Sequence, residues 1–223
     1  MNNSKFVHID EGVNDPAIFK AIFLAGGPGA GKSFIVGKTG LTPLGFKVIN
    51  SDDAFEAALK KAGLEMSPDN IFSPKGQEIR KSTSALTVKK MSLAIKGRLG
   101  LVIDGTGANA SKVTGQKKTL EALGYECAMV YVSIPLEDSI ESDRQRGEDG
   151  ERTIGPELVT QKFKQLDKSI PKLKKAFGTM FFVIDNTVRE KTPAIIRGVL
   201  NTITKWSKKM PRNKAAKTWM KNN

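Results

Sequence analysis

Short apolar runs alternate with longer stretches of helical periodicity along this chain. Ala21-Ile22-Phe23-Leu24-Ala25, Lys47-Val48-Ile49-Asn50, Leu101-Val102-Ile103-Asp104, Ala128 to Val132 and Met180-Phe181-Phe182-Val183-Ile184 are too brief and too apolar for surface helices. Each ends near Gly, Asp, Asn or Ser, and each reads as a strand. Apolar strands without polar alternation, spaced by helical stretches, predict a parallel sheet covered on both faces. The longest helical stretch is Gln77 to Gly97, with no internal Pro. A second starts at Pro156 behind Gly155 and is expected to break at Pro171. The pattern predicts an α/β fold of three layers: a five-stranded parallel sheet with helices on both faces. One domain over residues 1–204 is followed by a basic extension over 205–223.

Composition narrows the classes. A chain of 223 residues can bury one such core, and 39% hydrophobic with 26% charged residues excludes a disordered chain. A single Cys, Cys127, allows no internal disulfide, and its apolar run makes it a buried small hydrophobe in a reducing compartment. With one Cys and one His, the solvated His8, a structural zinc site is out of reach. No apolar window is long enough to span a membrane, and Lys5, Asp10, Glu11 and Asp15 interrupt any leader. The expectation is a soluble cytoplasmic protein with no membrane partner.

The net charge of +13 is unevenly spread, because residues 186–223 hold ten Lys/Arg against one acid, Glu190. Residues 205–223 carry seven basic residues and no acid, interleaved with Trp206, Met210, Trp219 and Met220. One reading is a nucleic-acid partner, with phosphates held by charge and rings packed on bases. The other is a solvated helix whose tryptophans dock on the domain.

The first strand runs into Gly26-Gly27-Pro28-Gly29-Ala30-Gly31-Lys32-Ser33, the G-x-x-x-x-G-K-S pattern of a phosphate-binding loop. Its glycines let backbone N–H groups turn towards phosphates, and the following helix, through Phe34, adds its N-terminal dipole. Lys32 is placed for the β- and γ-phosphates of ATP and the Ser33 hydroxyl for Mg²⁺. Gly105-Thr106-Gly107-Ala108-Asn109-Ala110 mimics a dinucleotide fingerprint, but it follows the third strand rather than the first and is rejected.

Two strands end in acids where ligands bind in such sheets: Asn50-Ser51-Asp52-Asp53 after the second and Asp104 after the third. A kinase needs a carboxylate to accept the proton of an acceptor hydroxyl. Asp52 or Asp53 suits that role, the other capping the helix expected at Ala54. Asp104 suits the metal. Arg144-Gln145-Arg146-Gly147-Glu148-Asp149-Gly150-Glu151-Arg152 reads as a short mobile lid bringing arginines to the transferring phosphate. Pairing of these arginines with Glu148, Asp149 and Glu151 is the bland alternative.

In their order along residues 20–190, these motifs resemble zeta-toxin-like and polynucleotide-kinase-like P-loop kinases. The resemblance implies a phosphotransferase moving the γ-phosphate of ATP to a hydroxyl on a polynucleotide 5′-end, a nucleotide or a nucleotide sugar. It puts the base on Asp52 and lid arginines on Arg144 and Arg152, with Arg146 on the substrate side. Asp53, Asp104 and Thr106 then lie beside the acceptor, and Asn186, after Phe182-Val183-Ile184-Asp185, borders the adenine. The compact chain, small lid and basic tail look phage-encoded. Polynucleotide kinases often follow the Asp pair with an arginine, whereas this chain has Ala54 and Phe55. The competing class is a nucleic-acid-associated ATPase or a regulatory nucleotide-binding protein.

Overall fold

The computed structural model describes residues 13–38, 41–188 and 192–223. His8 lies outside the described residues. The sheet is formed by β1 (Lys20–Ala25), β2 (Lys47–Ile49), β3 (Leu101–Ile103), β4 (Glu126–Ser133) and β5 (Phe181–Asp185). All pairings are parallel, in the order β2-β3-β1-β4-β5. β1 is central, with Ala21 in register with Leu101 on one side and Cys127 on the other.

Alternation along β1 divides the core between two faces. Ala21, Phe23 and Ala25 share one cluster with Leu101, Cys127 and Met129, and Ile22 and Leu24 share the other with Val102, Val130 and Ile184. The second face is covered by α1 (Lys32–Lys38) through Ile35 and α8 (Thr192–Ser207) through Ile196 and Ile203. The first is covered by α4 (Pro74–Lys96), α5 (Ala110–Ala122), α7 (Pro156–Phe177) and α9 (Lys214–Lys221). The chain therefore leaves β1 towards β2 over one face and crosses from β3 to β4 over the other. A crevice opens at the C-terminal end of β1. α2 (Asp52–Lys61) and α3 (Pro68–Phe72) form a small insert with α4 around Phe55, Leu59 and Ile71.

Several boundaries differ from the sequence reading. α4 starts at Pro74, because the Ser73 hydroxyl accepts from Gly76 N at 3.0 Å and Pro74 occupies the first turn. α7 does not break at Pro171 and continues to Phe177. The ring removes one backbone donor, but burial of Leu166, Leu173 and Phe177 on either side holds the helix together. Residues 136–148 form a helix, α6, so most of the expected arginine loop is helical.

The basic end of the chain continues the same body. The division at residue 204 falls inside α8, and α9 seats Ala216 and Trp219 on the core, Trp219 meeting Phe19 edge-on at 5.5 Å. Lys20, fully buried, pairs with Glu126 at 2.5 Å under the Trp206 ring. Glu126 also accepts from Arg212 N.

Candidate active site

A cleft of about 680 Å³ lies over the C-terminal ends of β1, β2 and β3. Its floor is the phosphate loop. Gly29 has φ +71°, and a Cβ there would lie 2.5 Å from the Ser142 Cβ, so only glycine fits between loop and α6. The Lys32 ammonium donates to Gly26 O and Gly27 O, both at 2.9 Å. Burial lowers its pKa, with Asp104 opposing and Arg146 and Arg152 adding to the shift. Gly107, from the rejected fingerprint, has a packing role: at φ +76°, its Cβ would strike the Ala25 Cβ at 2.7 Å. Thr106 lines the cleft, and its carbonyl accepts from Gly26 N at 3.1 Å.

Asp104 follows β3 and faces this floor. Its Oδ1 is buried without a hydrogen-bond partner. Burial raises its pKa, opposed by Lys32 and reinforced by Asp52 and Asp53. Among the described residues, no group of three or more His, Cys, Asp and Glu is gathered to hold a metal by itself.

The acidic pair opens α2, two residues earlier than expected, and neither aspartate caps it. Asn50 does the local work: its Oδ1 accepts from Asp52 N at 2.8 Å and its Nδ2 donates to Asp53 Oδ1 at 3.0 Å. Asp52 is thereby free to meet Arg152, which donates from Nη2 to its Oδ2 at 2.7 Å and from Nε to Glu56 at 2.8 Å. Arg80 lies 4.0 Å over the buried Phe55 ring and 3.9 Å from Asp52 Oδ1, too long for a hydrogen bond. Burial raises the pKa of Asp53, with Glu56 and Asp52 adding.

The structure does not gather every residue singled out above. Arg146 and Arg152 line the cleft, but Arg144 does not. It is exposed on α6 and pairs with Glu141 at 2.7 Å and with Glu148, both on its own helix. Asn186 lies behind the loop rather than in the cleft, donating to Ala30 O at 3.2 Å and accepting from Thr192 at 3.0 Å. Phe34 is exposed on α1 and is not part of the cleft lining. Conversely, Glu56, Arg80, Asp143, Lys112 and Lys162 line the cleft and carry no motif. Glu56 lies one turn along α2 from Asp52, whereas Arg80, Lys112, Asp143 and Lys162 arrive on later helices that only packing brings to the cleft.

Residues 14–193 match the family model of the zeta toxins. The chain belongs to the zeta toxin family. A search of curated proteins finds no match. Among solved structures, this zeta toxin relative resembles the PezAT toxin–antitoxin system of Streptococcus pneumoniae, at 16% identity and TM-score 0.57 over 86% of both chains. It also resembles the Pnkp1/Rnl/Hen1 RNA repair complex, at 19% identity and TM-score 0.53 over 69% of this chain and 45% of that one. Shikimate kinase from Acinetobacter baumannii, in complex with shikimate, aligns at 20% identity and TM-score 0.50 over 85% and 95%. Family and fold together make this zeta toxin relative P-loop kinase-like. No helix among its described residues is long and apolar enough to cross a membrane.

Proposed function

We propose that this zeta toxin relative is an ATP- and Mg²⁺-dependent kinase that phosphorylates an acceptor hydroxyl. The observation that carries this reading is the placement of Asp52, held by Arg152, in one cleft with Lys32 and Asp104. Loop amides and Lys32 would hold the ATP phosphates. The unpartnered Asp104 Oδ1 and the Ser33 hydroxyl suit a magnesium ion that takes its other ligands from phosphates and water. Magnesium, when bound, supplies positive charge against the phosphate oxygens. Asp52 presents Oδ1 to the acceptor while Oδ2 keeps Arg152 in place, so the carboxylate can take the hydroxyl proton as the oxygen attacks the γ-phosphorus and ADP leaves. Arg146 and Arg152 face the charge that develops on the transferring group. Asp53 and Thr106 border the acceptor.

The acceptor class is open among polynucleotide ends, nucleotides and nucleotide sugars. Ala54 and Phe55 follow the acidic pair where polynucleotide kinases often carry an arginine, and Arg80, stacked on the buried Phe55 from another helix, brings a guanidinium to 3.9 Å from Asp52 Oδ1. The test offers γ-labelled ATP and Mg²⁺ with 5′-hydroxyl oligonucleotides, nucleosides, nucleotides and nucleotide sugars. Label on one class is expected, falling about 10²- to 10⁴-fold in Lys32→Ala and Asp52→Asn. Free phosphate alone, undiminished in Asp52→Asn, would overturn the reading in favour of a nucleic-acid-associated ATPase.

A further inference from the structure

Helix α6 turns one face inward. Ser139, Ser142, Asp143 and Arg146 recur at the i, i+3, i+4, i+7 spacing of a single helical face. This face does two jobs. At one end it seats on the phosphate loop, where the fully buried Ser139 donates to Pro28 O at 2.5 Å and Ser142 abuts Gly29. Further along, Asp143 reaches the segment that follows Arg152. Its carboxylate accepts from the Thr153 hydroxyl at 2.6 Å, from Gly155 N at 2.9 Å and from Ile154 N at 3.2 Å.

Asp143 is only 3% exposed, and no described residue pairs with it as a cation. A carboxylate withdrawn from water without a counter-charge is costly unless its lone pairs are filled. Here all the donors come from one three-residue stretch, so the energy that satisfies Asp143 is spent holding that stretch. The segment is clamped from the other side as well, since Thr153 N donates to Met66 O at 3.3 Å. Gly150 precedes it and Gly155 closes it, with φ of +70° and +85°. Left untied, such a segment would let Arg152 wander from Asp52 and Glu56.

We infer that Asp143 is a positioning residue for Arg152, fixing residues 153–155 to the helix that also braces the phosphate loop. The inference rests on the kinase reading for its catalytic consequence, but not for its structural one. With Asp143→Asn, an amide meets donors on the side where a carboxylate oxygen stood. The segment loosens while the ATP site is untouched. Thr153→Val, which deletes a single donor, is the milder companion.

The test compares full-length wild type, Asp143→Asn, Thr153→Val, Arg152→Ala and the Asp143→Asn/Arg152→Ala double variant. Two readouts are independent of turnover: amide hydrogen exchange at residues 153–155, and solvent exchange of the Arg152 Nε–H shielded by Glu56. Both are expected to quicken in Asp143→Asn and, more weakly, in Thr153→Val. In phosphate transfer, Asp143→Asn should lower kcat roughly 10- to 100-fold with KM for ATP within about twofold. The double variant should be no slower than Arg152→Ala alone. Unchanged exchange at both probes, or losses in kcat that multiply in the double variant, would overturn the inference. If wild type transfers no phosphate but both exchange probes respond, the kinase reading falls and the anchoring of Arg152 stands.

Discussion

Asp104 shows how a single residue combines chemistry with a stability penalty. Its backbone is tied into the sheet through Ile49 O at 3.0 Å, while one carboxylate oxygen stays buried and unbonded. Burial raises its pKa, so between the ordinary carboxylate value and the raised one the folded state holds more protons than the unfolded chain. Stability then falls as pH rises through that window. Asp104→Asn should flatten this part of the melting-temperature profile in metal-free buffer and remove phosphate transfer, as thermal melts across pH and the label assay would read. The acid at the end of the third strand is visible in sequence because short apolar runs announce where strands stop. Its missing partner is not, since that depends on how Ile49, Lys32 and Asp52 surround it. The same contrast separates the arginines. Arg144 and Arg152 look alike in sequence, yet one sits among Glu141 and Glu148 on its own helix and the other reaches Asp52 a hundred residues away.

At the level of elements, two helix starts that the sequence reading passed over, one of them Pro74 rather than Gln77, have purely local causes. Ser-Pro dipeptides at 67–68 and 73–74 each place a hydroxyl cap before a proline in the first turn, and α3 and α4 begin there. Ser73→Ala removes the 3.0 Å cap on Gly76 and should cost about 1 kcal/mol, or about 2–4 °C in melting temperature. Calorimetry checks this, and the ATP site should be unaffected. Pro171 is the opposite case. Its local preference to end a helix is outweighed by apolar residues on both sides that pack on the sheet. α6 was hidden by its polar composition, because it packs its inward face with serines and a buried aspartate rather than with leucines.

For the whole molecule, the question is what the surplus of positive charge does. Trp219 and Trp206 are committed to Phe19 and to Lys20, at the N-terminal ends of the strands, so they are not a free stacking platform. That end is the far side of the sheet from the phosphate loop. The lysines of the C-terminal stretch are exposed, among them Lys208, Lys209, Lys214 and Lys217. If nucleic acid is a partner there, charge alone carries the contact. Replacing those four lysines by Gln should leave the melting temperature in place and reduce both the affinity for a polyanion and its salt slope, by titration at several salt concentrations. Trp219→Ala should do the reverse, costing about 2 kcal/mol of stability with little change in that binding. The sequence by itself determined the strands, the phosphate loop and the acids at the strand ends, because each follows from a few adjacent residues. Tertiary structure alone decided which arginines face the cleft, that the basic end joins the core, and that Asp143 grips the segment behind Arg152. Those depend on side chains brought together from distant parts of the chain, where direction and burial outweigh any local preference.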